Sequence, residues 1–410
     1  MRIDVSADSF DILQGYSRVL LQQGRPILDR DWNEQTSIVL HQLRALTRAI
    51  YGPHGGPAGG ECGFVPIVVE GLGIRLRKGW YSVDGLLLSC EDDRDYMKQK
   101  GFEPAKMAAQ KTYLVYLEAI EREVTAAEQG NLLDSALPGV DVAARGQIVW
   151  RANHTDWLSD PKNPASVKAP ASCRDAIEQA NAWYEFKRKK QAPPTVPFPK
   201  ALEDKLKELA KKSSNQLLRA ECHSEGIWKL STDNAFALFE IDAPDKRSAT
   251  AMNKITIQLG VLDSWIPEAG NFVELLTEQN VRFNEPGELL EIAVIVTPDR
   301  NSLENIDRQS ITLSGDLSSD NLFRFVRVWN SRVEIAHDDG VMPGDYWQFA
   351  SRDSAPDFVG ANLRRPTRVY APLALIRTGT DGTPLPDIER FQRIVGPKWR
   401  EIDDVDFVDS

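Results

Sequence analysis

The sequence predicts an α+β protein that is mainly β. It has an N-terminal helical arm, two β-rich domains of barrel or sandwich type, and an α-helical insertion between them. Three observations lead there. An apolar repeat of helical period runs from Trp32 to Ile50. Short runs of β-branched and aromatic residues, separated by turn residues, fill both halves of the chain. A proline-rich and charge-rich stretch interrupts them. The expected segments are 1–55 for the arm, 56–155 for the first β-rich domain, 156–213 for the insertion, 214–378 for the second β-rich domain and 379–410 for a tail.

Taken in order, Gly24 is placed for a turn, because glycine takes positive φ at little cost. Asp31 followed by Glu34 has the form of a capping box, with Asp in place of Ser or Thr, and predicts a helix start. Trp32, Val39 and Leu46 share one position of a seven-residue repeat. Leu43 and Ile50 fill the second position, with polar Thr36 in the same series. The seam runs for less than three heptads, short of what argues a coiled coil. The glycine-rich run from Gly52 to Gly60 is expected to stop this helix and carry the chain to the first strand; a flexible docking loop is the other reading. It lacks the ending of a phosphate-binding loop.

Trp80 to Cys90 reads as a hairpin, since Asp84-Gly85 supports a type I′ turn. Tyr113 to Ile120 reads as a core strand. In the insertion, Ser172 is placed to cap a helix with Ile177, Ala180 and Tyr184 on one face. The run Pro193 to Pro199 excludes regular structure, and a charged helix, Leu202 to Lys212, follows. This insertion is expected to be peripheral and to bury little apolar surface. Further strands are expected at Gln216–Cys222, Ala235–Ile241, Ile255–Leu259, Phe272–Leu276, Leu289–Val296, Ser310–Leu313, Phe323–Trp329 and Tyr346–Ala350. Trp80, Trp150, Trp228, Trp329 and Trp347 fall in strands and read as core residues.

Composition narrows the function. The 410 residues carry a net charge of −11, which argues against a nucleic-acid binder. No apolar run is long enough to cross a membrane, and the first residues lack the apolar core of a signal peptide, so a cytoplasmic protein is expected. Four cysteines without close pairing read as buried thiols, not a disulfide frame. His54, Cys62, Cys90, Cys222 and His223 lack the spacing of zinc ligands. Asp29, Asp31 and Glu34 are explained by a turn and a cap before a cation site is needed. No nucleophile motif or cofactor loop is present, so neither catalysis, a metal nor a cofactor is expected. Acidic residues such as Asp233, Asp263, Glu274 and Asp345 could still meet in a cleft.

Several segments resemble one family. Gln22-Gln23-Gly24-Arg25, then Asp31-Trp32-Asn33-Glu34-Gln35, then Gly52-Pro53-His54-Gly55 are similar to the opening of an uncharacterised domain family found in gene clusters of contractile injection systems and phage-tail-like particles. Tyr16, Trp80 to Gly85, Tyr113 to Thr125, Leu137 to Trp150, Asn215 to Leu217, Pro286 to Leu290, Val341 to Phe349 and Tyr370 to Ile376 continue the resemblance in order. It lapses across 156–213 and after Arg377.

The resemblance implies a structural component assembled into such a particle, in the first place a baseplate-attached tail-fibre or spike-like protein. Its partners would be other particle subunits and further copies of itself, with a trimer among the forms. The competing class is a carbohydrate-binding or hydrolytic protein carried by the particle. Trp32, Val39, Leu43, Leu46 and Ile50 are the candidate assembly face. For Trp32 two readings stay open: packing onto the chain's own domain, or an anchor buried between subunits.

Overall fold

A computed structural model describes residues 1–5, 9–58, 61–71, 73–137, 141–157, 173–210, 216–241, 253–258, 267–296, 308–316, 322–336, 340–351, 358, 362–391 and 394–395. The expected cap at Ser172, the end of the strand at Leu259, the acidic Asp263 and most of the tail lie outside them. The described chain is mainly β with few helices. It divides into two compact units, each built from three separate stretches: Met1–Val39, Ile120–Val149 and Lys190–Thr367 in the first; Leu40–Ala119, Trp150–Lys189 and Arg368–Ser410 in the second.

The first unit holds two antiparallel sheets. In one, Gln216–Ser224 is central, between Ile227–Ser231 and Tyr346–Ser351, and Ser331–Glu334 forms an edge. The other has six strands, among them Phe272–Leu276 between Glu288–Val296 and Phe325–Trp329. Trp228, Trp347, Phe349 and Leu218 build one core, and Val273, Leu275, Ile311, Val326 and Val328 another. Ile227–Ser231 is the strand that holds Trp228, while Ser331–Glu334 and the short helix Glu278–Phe283 are elements beyond the expected ones. That helix is closed by a reciprocal capping box between Thr277 and Asn280.

In the second unit the expected hairpin forms as Gly79–Val83 and Leu86–Cys90, paired from Val83 to Leu86. Both turn residues have positive φ, Asp84 at 47° and Gly85 at 86°, as a type I′ turn requires. Any Cβ on Gly85 would lie 2.5 Å from the Arg44 carbonyl oxygen, so the position needs glycine for space as well. The core strand runs longer than its apolar signal, from Thr112 to Val124, and pairs in a four-stranded sheet with Arg145–Asp156 and Arg368–Thr378.

The glycine-rich run is a correction. It is not simply a crossing loop: His54–Pro57 is itself a strand, paired with Gly79–Val83 and with Ile394–Val395. Gly56 permits this, because a Cβ there would meet Cys62 Sγ at 2.4 Å. Trp80 is also a correction. It lies in its strand but is exposed, whereas Trp228, Trp329 and Trp347 are buried.

The insertion differs most from expectation. Helix Cys173–Lys190 sends Ala176, Ala180, Trp183 and Tyr184 into a core with Leu114, Tyr116, Trp157 and Leu375, while Ile177 faces solvent. Helix Lys200–Leu209 buries Leu202 and Leu206 completely. The proline run places Phe198 against Trp347, Phe349 and Phe358. This stretch is core-forming, because its few apolar residues recur at helical spacing on one face.

Candidate assembly interface

Helix α1 spans Asp29–Tyr51. It begins two residues before the expected start. Asp31 N–H bonds the Leu28 carbonyl, and Asp29 and Asp31 occupy the first turn, where the helix dipole favours negative charge. Glu34 does not close a capping box; its carboxylate accepts from the Ser9 hydroxyl at 2.6 Å. Gln35 accepts from the Val19 N–H at 2.8 Å. Two residues of the DWNEQ motif thus tie the preceding segment to the helix. At its other end the Gly52 N–H bonds the Arg48 carbonyl, and Arg48 pairs with Asp84 at 3.4 Å.

The helix is amphipathic in the unusual sense. Of its apolar residues Ile38 alone is buried. The predicted row lies in solvent, with exposure from 43% at Val39 to 70% at Trp32, and Leu43, Leu46 and Ile50 between. Trp32 therefore does not pack into the chain's own core. Ahead of the helix, Ile12, Leu13, Tyr16, Leu20, Leu21 and Ile27 are exposed too. The turn at Gln23 and Gly24 is closed by a bond from Arg25 N–H to the Gln22 carbonyl, and Asn33 is exposed beside Trp32. So many large apolar side chains in water over one short stretch make it the candidate interaction surface.

The first residues of the expected arm behave differently. Arg2 is buried in the first unit and forks onto Glu221, Nε to Oε2 at 3.0 Å and Nη2 to Oε1 at 2.8 Å. Its third nitrogen donates to Asn284 Oδ1 at 2.8 Å and lies 3.5 Å from Glu123. Asn234 donates to the carbonyls of Met1 and Ile3. Glu221 also meets Arg219 at 2.8 Å and Lys229 at 3.1 Å. Lys229 reaches Glu274 at 2.6 Å, which accepts a further bond from Trp329. Arg327 stands 3.8 Å from Glu123. Every one of these charged side chains is buried.

Burial alone would raise the carboxyls, but the surrounding cations outweigh it. Glu221 lies well below the usual range beside Arg2, Lys229 and Arg219; Glu274 is lowered by Lys229; Glu123 is held at about 2 by the Met1 amino group first, then by Arg2 and Arg327. Burial, with Arg2 nearby, brings Arg327 down to about 10. Sequence gave no warning of this cluster, since its members are separated by up to 325 positions and each looks like an ordinary charged residue. Deleting residues 1–52 would strip Arg2 from it and leave Glu221 and Glu123 short of one cation.

Among the acidic residues considered from sequence, Glu274 is locked in this cluster and Asp345 is buried against Arg365 at 2.6 Å. Asp233 lines a cavity of about 280 Å³ with Asp4 and Asp29. Burial raises the Asp4 carboxyl, and Asp233 and Asp29 add to the rise. The cavity is at the lower edge of ligand-pocket size, about 300 Å³ and upward, and is lined otherwise by Ile3, Val5, Leu217 and Asn234. His54 is a buried partner of the Tyr81 hydroxyl at 2.8 Å. Cys62, Cys90 and Cys222 are buried free thiols. Among the described residues no helix is long and apolar enough to cross a membrane.

No curated protein matches the chain in sequence. A crystal structure of TssK is similar over 82% of this chain and 99% of its own, at 9% identity and a TM-score of 0.19, a likeness too slight to bear on fold or role. The sequence pattern of a family of unknown function, DUF6519, matches residues 1–68 and 90–234, which include the QQGR, DWNEQ and GPHG segments and run through the insertion. That match takes in more than half of the chain, and the chain belongs to this family.

Proposed function

We propose that this protein is a non-catalytic structural subunit of a contractile injection system or phage-tail-like particle, attached to the baseplate as a fibre- or spike-like part. The observation that carries the assembly role is the exposed apolar surface from Ile12 to Ile50. The resemblance of its motifs supplies the setting. The proposal of no turnover is supported by Glu221, Glu274 and Asp345, buried carboxylates that are committed to cations in a packed interior.

Gradient sedimentation of particles from cells carrying the tagged full chain tests the proposal. The chain should travel with the sheath-containing fraction. Leu13→Ser, Leu20→Ser, Leu21→Ser and Ile27→Ser together should leave its circular dichroism unchanged and deplete it from that fraction about tenfold or more, the loss of at least one apolar anchor. A wild-type chain found only in the light fraction overturns the proposal.

A further inference from the structure

We propose that the exposed face of α1 is occupied by α1 of a second copy of this chain, packed antiparallel about a two-fold axis near His41. This rests on the assembly reading above and names the partner.

Three features of the helix carry the inference. First, the apolar row keeps a strict alternation of four and three residues: Trp32, Thr36, Val39, Leu43, Leu46 and Ile50. That spacing presents one seam to another helix over roughly 27 Å. Thr36 fits such a seam, since its hydroxyl is satisfied by the Trp32 carbonyl at 3.1 Å and leaves its methyl to pack.

Second, the seam and the positions flanking it carry no charge from 32 to 50: Trp32, Asn33, Gln35, Thr36, Val39, Leu40, Gln42, Leu43, Leu46, Thr47, Ala49 and Ile50. In a protein of net charge −11, two copies can meet along this face without bringing like charges into contact.

Third, the charges that the helix does carry are polarised along it. Asp29, Arg30, Asp31 and Glu34 make the first turns negative; Arg44 and Arg48 make the last turns positive. An antiparallel pair sets each negative end beside a positive end and opposes the two helix dipoles, whereas a parallel pair repeats like beside like. A two-fold axis near residue 41 then sets Trp32 against Ile50 of the second copy, Thr36 against Leu46, and Val39 against Leu43. Each contact occurs twice, as an isologous interface demands.

The test uses the full chain. Sedimentation equilibrium of the wild type at micromolar concentration should give a dimer. Leu43→Glu, which brings two carboxylates together near the axis, should raise the dissociation constant about 100-fold or more without changing the circular dichroism. For orientation, Thr36→Cys and Leu46→Cys chains are mixed under mild oxidation, with the wild type and its four native cysteines as control. The mixture should give a disulfide dimer, and Thr36→Cys alone should not. A wild-type monomer, a Leu43→Glu chain that still dimerises equally, or cross-linking of Thr36→Cys to itself overturns the proposal. A monomer that nonetheless travels with the particle would overturn this pairing and leave the assembly role standing. A dimer that never does so would support the pairing and contradict that role.

Discussion

At the scale of single residues, the first unit depends on charges that have been taken out of water. Such a network is stable only while every member has a partner. Glu221→Gln leaves the Arg2 fork, Arg219 and Lys229 short of a counter-charge; it should cost about 3–5 kcal/mol in chemical denaturation, and a loss under 1 kcal/mol would mean the cluster is not closed as described. Glu123 gives a pH test. Its folded-state value, about 2, lies below the ordinary 4.5. A depressed carboxyl stabilises above its unfolded value, and that contribution is lost as pH falls through the folded one. The stability gap between wild type and Glu123→Gln should therefore be complete above about pH 5 and close towards pH 2. Comparing the two chains removes the opposing effect of Asp4 and Asp84, whose carboxyls burial raises. A gap that does not change with pH would contradict the assignment.

At the scale of elements, legibility followed the range of the interactions. The Asp84-Gly85 hairpin was readable because a two-residue turn is decided by its own residues. The strand at Phe272–Leu276 matched its expected bounds because an apolar run flanked by turn residues is a local signal. The row on α1 was readable as a row, but which way it faced was not, since that depends on what packs against Ile38 on the opposite side. In the insertion, dense charge masks an apolar face at helical spacing. Trp183 is fully buried against Tyr116 and Tyr370, with Lys187 over the same rings. Trp183→Ala should accordingly cost about 3–5 kcal/mol, as for other buried aromatic truncations, measured by urea unfolding. Retention of full stability would restore the reading of a peripheral insertion.

At the scale of the whole molecule, the mainly β class followed from the density of short apolar runs and turn residues. The make-up of the two compact units did not, because strands such as Thr112–Val124 and Arg368–Thr378 share a sheet across some 250 residues of sequence. What joins sequence and proposed role is the N-terminal stretch. Its motif residues Glu34 and Gln35 hold the chain in place, while its large apolar side chains face water. A protein that keeps such a surface uncovered invites association. The most direct test is a cryo-EM reconstruction of tail-like particles purified from cells that carry this chain. There α1 should be covered by another protein chain, with Trp32, Leu43 and Leu46 removed from solvent. A chain bound in the particle with that face of α1 still in water, or a particle complete without the chain, would contradict it.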